Sequence, residues 1–121
     1  MRTSNSSMLH EALIREMVTS YEAQKYYNIK ADHIGHKNGS PTEVNGHIPD
    51  IYAEKNNATV ICEAETADSI YEYRTIDQWE AFSHSTYEFH VVVPMSALDD
   101  AKKIAAQHNI TVDFWWYSSK F

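Results

Sequence analysis

Apolar side chains recur at Leu9, Leu13, Ile14, Met17, Val18 and Tyr21, the spacing of one helix face, and predict a helix over 8–27. Ser6 or Ser7 is placed to cap its start and Asn28 to stop it. "IKADHIGH" (29–36) reads as a strand, and "KNGSPTEVNG" as a turn or loop marked by Gly39, Pro41, Asn45 and Gly46. Runs 47–54 and 58–65 read as two strands around "KNNA", because Asn tolerates the positive φ of a tight hairpin. "SIYE" (Ser69–Glu72) and "TIDQ" (Thr75–Gln78) each match a capping box, so a helix begins at one of them and runs to about residue 84. "YEFHVVVP" is a continuous apolar strand of the kind buried on both faces. Ser96 then caps a helix carrying Leu98, Ala101, Ile104 and Ala105 that ends near Asn109, and "ITVDFWWY" closes as a strand. The order α-β-β-β-α-β-α-β describes one α/β domain over residues 1–121 with a mixed sheet, an antiparallel meander followed by crossovers.

The central hairpin carries acids where apolar residues would be less costly. Side chains alternate along a strand, so Ile61, Glu63 and Glu65 share one face, and Ile48, Asp50 and Tyr52 share a face of the partner. Closing the hairpin through Asn56-Asn57 sets Lys55 opposite Ala58 and, in the same register, Asp50 opposite Glu63. Cβ atoms of such a pair lie ~5 Å apart, and like charges so placed destabilise a sheet. Protonation of one acid relieves this, and so does a cation between them; solvation at an exposed sheet edge is the third possibility. Hard divalent cations such as Mg²⁺ or Mn²⁺ take carboxylate oxygens and retain several waters, so a pair of acids with a backbone carbonyl suffices.

Charge and composition narrow the partners. The net charge of −7 opposes broad attraction to nucleic acid, so such a role needs a local basic patch, a metal ion or a dimer. Lys25, Lys30, Lys37, His33, His36 and His47 provide local positive or ligating groups in the first half. The single cysteine, Cys62, excludes an intramolecular disulfide and a cysteine-based zinc cluster and suits a reducing cytoplasm. No transmembrane or secretory segment is visible, so no membrane role is expected.

With "PD" at Pro49-Asp50 and Glu63-Ala64-Glu65 one tight hairpin later, the chain resembles the PD-(D/E)xK nuclease superfamily, whose fold is restriction-endonuclease-like. The element order resembles it over most of the chain, and "QWEAF" (78–82) looks like the glutamine-bearing helix after the active-site strand, with Phe82 where tyrosine is common. The position of the catalytic lysine holds Glu65, giving E-x-E in place of E-x-K. The resemblance implies a metal-dependent nuclease acting on DNA ahead of RNA, with Asp50, Glu63 and the Ala64 carbonyl holding Mg²⁺ or Mn²⁺. Glu65 is then expected to position or deprotonate the attacking water, and Gln78 to support the site. The absent lysine favours the alternative, a nuclease-fold module that no longer cuts and serves in nucleic-acid binding or assembly.

Other residues are weighed beside these. Glu11 and Glu16 flank the apolar face of the first helix, where a superfamily member often adds an acid, although helix borders are normally charged. His33, His36 and His47 would be the ligands of a zinc site, but "HIGH" on a strand sends its two histidines to opposite faces. Lys30, Lys37 and Lys55 are the candidates for replacing the missing positive charge. The aromatic "FWWY" predicts an interface strand in a two-fold homodimer.

Overall fold

The computed structural model describes residues 4–32 and 39–120. Helix α1 (Ser4–Ala23) is followed by strands β1 (Tyr27–Ala31), β2 (Ile51–Lys55) and β3 (Ala58–Ala64), helix α2 (Tyr73–Ser83), strand β4 (Glu88–Pro94), helix α3 (Leu98–Gln107) and strand β5 (Phe114–Ser118). The five strands form one mixed sheet in chain order: β1–β2 and β2–β3 are antiparallel, β3–β4 and β4–β5 parallel. The expected order and the switch from meander to crossovers are both observed.

Alternation along the strands divides the core into two layers. Val60, Cys62, Ala64 and Val92 meet Leu13, Ile14, Met17 and Tyr21 of α1 on one face. Ile61, Phe89, Val91 and Val93 meet Trp79 and Phe82 of α2 and Ala101 and Ala105 of α3 on the other. Because β3 and β4 are covered on both sides, their side chains are almost all buried.

The element ends differ from the sequence expectations for identifiable reasons. α1 starts at Ser4, so Ser6 and Ser7 lie inside the helix; it ends at Ala23, and the chain turns at Lys25 with φ 72°. Asn28, expected to stop the helix, lies in β1 with φ 51°, where the pairing with β2 is bulged. Neither capping box caps a helix. A 3₁₀ turn spans Ser69–Tyr71, and α2 begins at Tyr73 behind Glu72 with no side-chain cap. The Thr75 hydroxyl donates instead to the Ser69 carbonyl at 2.6 Å, and the Ser69 hydroxyl to Glu65 at 2.6 Å. Ser96 likewise sits in a 3₁₀ turn (Met95–Ala97) ahead of α3 and provides no cap. β5 starts at Phe114 because the Asp113 carboxylate accepts from the Phe89 amide at 2.8 Å, and the Asp113 amide donates to the Phe89 carbonyl at 2.8 Å. Of the strand expected over 29–36, residues 33–36 lie outside the described residues.

One buried polar cluster ties α1, β4 and β5 together. His90 Nδ1 accepts from the Tyr21 hydroxyl (2.7 Å) and from Trp116 Nε1–H (2.9 Å). Indole N–H can only donate, so the proton of neutral His90 is on Nε2, which donates to Glu88 at 2.8 Å. Burial holds the His90 pKa below its ordinary value, against the opposing pull of Glu88. A base whose folded pKa is depressed stabilises the fold fully above its unfolded pKa of about 6.5, and that contribution is lost as pH falls below it. His90→Gln is therefore expected to narrow its stability deficit against wild type between pH 7.5 and 5, read from urea midpoints. A deficit constant across that range would show that His90 does not titrate on unfolding.

Candidate functional site

The hairpin turn sets the site. Asn56 and Asn57 take φ of 53° and 66°, the left-handed pair of a type I′ turn, and the ladder runs from Lys55↔Ala58 to Ile51↔Cys62. In this register the hydrogen-bonded pairs fall on alternate positions, and the next would join residue 49 to Ala64. Pro49 has no N–H to give, so the ladder stops, and β2 begins at Ile51, four residues later than residue 47 where the sequence pattern started it. Asp50 therefore meets Glu63 through its side chain and amide rather than as a ladder pair.

The Asp50 carboxylate takes the place of the missing strand. Its Oδ2 accepts from the Ala64 amide at 2.8 Å, and the Asp50 amide donates to Glu63 Oε2 at 2.9 Å. Pairing of β3 with β4 runs through neighbouring groups, Glu65 N–H to Val92 C=O, so the Ala64 amide and carbonyl both point to the vacated side. The carbonyl is left without a ladder donor. His10 of α1 brings Nε2 to 3.1 Å from Asp50 Oδ2. Both acids are buried, at 8% exposure for Asp50 and 2% for Glu63.

Their surroundings push the two carboxyls in opposite directions. For Asp50, burial pushes the pKa up, but hydrogen bonds from His10, Glu63 and the Ala64 amide, with the attraction of His10, outweigh it and hold the group below its ordinary value. For Glu63, burial and then the negative charge of Asp50 push the pKa well above the usual carboxylate range. The opposite directions of the two shifts favour a proton on Glu63 ahead of Asp50.

Glu65 shares the strand face of Glu63 but is engaged elsewhere. It is fully buried, its Oε1 accepts from Ser69 Oγ at 2.6 Å with Thr75 Oγ1 at 3.4 Å, and its Oε2 accepts from Trp79 Nε1 at 3.3 Å. The carboxylate thus fastens the first turns after β3 and the middle of α2 to the sheet. Gln78 is half-buried on α2 and makes no hydrogen bond to Asp50, Glu63 or Glu65 among the described residues.

Glu11 pairs with Arg15 at 3.2 Å and Glu16 accepts from Ser118 at 2.9 Å, so the residue α1 contributes is His10. His10 was legible as a member of the stripe Leu13, Ile14, Met17, three and four residues before its first two members. His47 packs edge-on against Phe82 at 6.1 Å, while His33, His36 and Lys37 lie outside the described residues. Lys55 lies over the Tyr26 ring at 5.1 Å.

Among the described residues no group of three or more His, Cys, Asp or Glu side chains is gathered as a metal cluster. Asp50 is linked in turn to His10, to Glu63 and to the Ala64 amide, so the donors a cation could draw on, the two carboxyls, the imidazole and the Ala64 carbonyl, are near neighbours without surrounding a common point. Mostly hard oxygen donors, with one imidazole, fit Mg²⁺ or Mn²⁺. No family model, curated protein or solved structure matches the chain. No helix among the described residues is long and apolar enough to cross a membrane.

Proposed function

We propose that the protein is a divalent-metal-dependent phosphodiesterase of restriction-endonuclease-like fold acting on DNA, with RNA as the second substrate class. The observation that carries this reading is the meeting of Asp50 with Glu63 and with the Ala64 backbone where Pro49 ends the ladder. A bound Mg²⁺ or Mn²⁺ would lower the pKa of a coordinated water and offset charge on the scissile phosphate. Asp50, its pKa held low and its carboxylate held by the Ala64 amide, is pre-set as an anionic ligand. Glu63 has to give up its proton first. His10 orients Asp50. In this reading Glu65, expected to handle the attacking water, acts as the anchor of α2, and Gln78 flanks the site from that helix.

Metal addition tests the site directly. Mg²⁺ or Mn²⁺ is expected to raise the melting temperature by mass action on the folded state. Because the cation competes with the Glu63 proton, the rise should be larger at pH 8 than at pH 5.5. A shift independent of pH would remove Glu63 from the ligand set. Divalent-dependent cleavage of a panel of single-stranded, duplex, flapped and branched DNA tests the activity.

The second reading, a module that binds or assembles without cutting, is favoured by the sequestration of Glu65 and by a pair that is relieved by a proton alone. In either reading we expect a two-fold dimer through β5. That strand lies at the sheet edge, carries no charged residue within "FWWYS", and exposes Phe114 (48%) and Tyr117 (56%). Unblunted aromatic edges of this kind pair with another chain. Sedimentation at on the order of tens of micromolar should give a dimer mass, and Phe114→Glu with Tyr117→Lys a monomer; a monomeric wild type removes this interface.

A further inference from the structure

The sheet face opposite α1 is only partly roofed. α2 and α3 pack over β4, and above β1 and β2 a cavity of about 370 Å³ is lined by Asn28, Lys30, Tyr52 and Glu54. That volume lies within the range of small-ligand sites. Ile51 and Ala53 enter the α1 core, so Tyr52 and Glu54 project from the other face of β2. Tyr52 of the cavity wall follows Asp50 by two residues, which brings the cavity close to that acid along the chain.

Local backbone shapes its walls. Register places Lys30 opposite Tyr52, and the bulge between Tyr27 and Lys30, with Asn28 at φ 51°, turns the Asn28 amide to Glu54. Asn28 Nδ2 donates to Glu54 Oε2 at 3.2 Å, and the Tyr52 hydroxyl donates to the same oxygen at 2.9 Å. Tyr87 supports the Tyr52 ring edge-on at 6.5 Å. Lys30 Nζ lies 5.9 Å from the Tyr52 ring centroid, the outer reach of a cation–π contact, and makes no ion pair among the described residues. Glu54 is thus held by two donors, while the ammonium is free to move to an anion.

We propose that this cavity binds the nucleotide adjoining the one whose phosphate would be cut. Lys30 takes its phosphate, the face of Tyr52 its base, and the Asn28–Glu54 pair the polar edge of that base. Stacking on an aromatic ring together with one cation is the usual composition of a single-strand subsite. Lys30 would then supply to the bound strand a positive charge that Glu65 does not carry. The proposal rests on the phosphodiesterase reading and has its own binding readout.

The test is titration of the ¹⁵N-labelled full chain with a 5′-phosphorylated thymidylate tetranucleotide in the absence of divalent ions. Amide shifts are expected at Asn28, Lys30, Tyr52 and Glu54, with affinity falling about tenfold in Lys30→Ala and retained in Lys30→Arg. Loss of one phosphate contact should also reduce the slope of log affinity against log salt by about 0.7. No shifts at these residues, or equal affinity in Lys30→Ala, would overturn the proposal, as would inorganic phosphate binding as tightly as the tetranucleotide. Cavity binding without divalent-dependent cleavage retains this subsite and sinks the phosphodiesterase reading; cleavage without cavity binding sinks the subsite alone.

Discussion

Glu65→Lys, the substitution that would restore the commoner nuclease pattern, is expected to destabilise the protein by about 3–5 kcal/mol. Glu65 is fully buried, and the Ser69 hydroxyl and the Trp79 indole N–H both point their hydrogens at its oxygens. A lysine offers only donors, so a buried ammonium without a counter-charge would face the donor-only Trp79 N–H, and the Ser69 hydroxyl would have to turn from donating to accepting. Against a total stability of roughly 5–15 kcal/mol, that loss removes a large share of the folded population at 37 °C. Glu65→Gln keeps one acceptor oxygen and mismatches the other donor, and should cost about 1–3 kcal/mol. Urea denaturation of the three proteins gives the ordering wild type, Gln, Lys. A lysine variant as stable as wild type would show that the α2 anchorage does not depend on this carboxylate. The consequence for function is that a lysine cannot be returned to this position without also rebuilding Ser69, Thr75 and Trp79.

The contrast between Asp50 and Glu65 shows which parts of the site could be read from the chain. The hairpin register was legible because Asn56 and Asn57 allow a two-residue turn, and one local turn fixes every pair that follows. The opposition of Asp50 and Glu63 follows from it, and so does the need for a proton or a cation. The end of the ladder before Ile51 is also written in Pro49, which has no N–H to donate and is at the same time the first letter of the nuclease motif. Glu65 was different. Its partners Ser69, Thr75 and Trp79 are close in sequence, but a hydroxyl at a helix start has competing uses. Local preference favours a cap, and the buried carboxylate wins because an unsatisfied charge costs more than an uncapped helix turn. The same competition explains why both capping boxes failed together. His10 needed only its place in the α1 stripe, where a polar residue on a core-facing face calls for a buried partner.

Asp50→Asn should abolish divalent-dependent stabilisation and lower cleavage by about 10³-fold while leaving the protein folded. The variant keeps a carbonyl oxygen to accept from the Ala64 amide, and it removes the charge that drives the Glu63 pKa upward. Apo stability should therefore stay within about 1 kcal/mol of wild type, since the weaker bond of a neutral carbonyl to His10 is offset by no longer burying a charge. What the amide cannot supply is the anionic ligand. Losing several kcal/mol of charge stabilisation in the transition state corresponds to a rate loss of the stated size. Glu63→Gln should behave alike for cleavage and should also erase the pH dependence of the metal response, which Asp50→Asn cannot test because it erases the response itself. Equal Mn²⁺-induced melting shifts in wild type and Asp50→Asn would remove the Asp50–Glu63 site from consideration. A wild type that shows the metal shift yet cuts nothing in the DNA panel would instead place the non-cutting module first, with a cation serving to hold the end of β2 against β3.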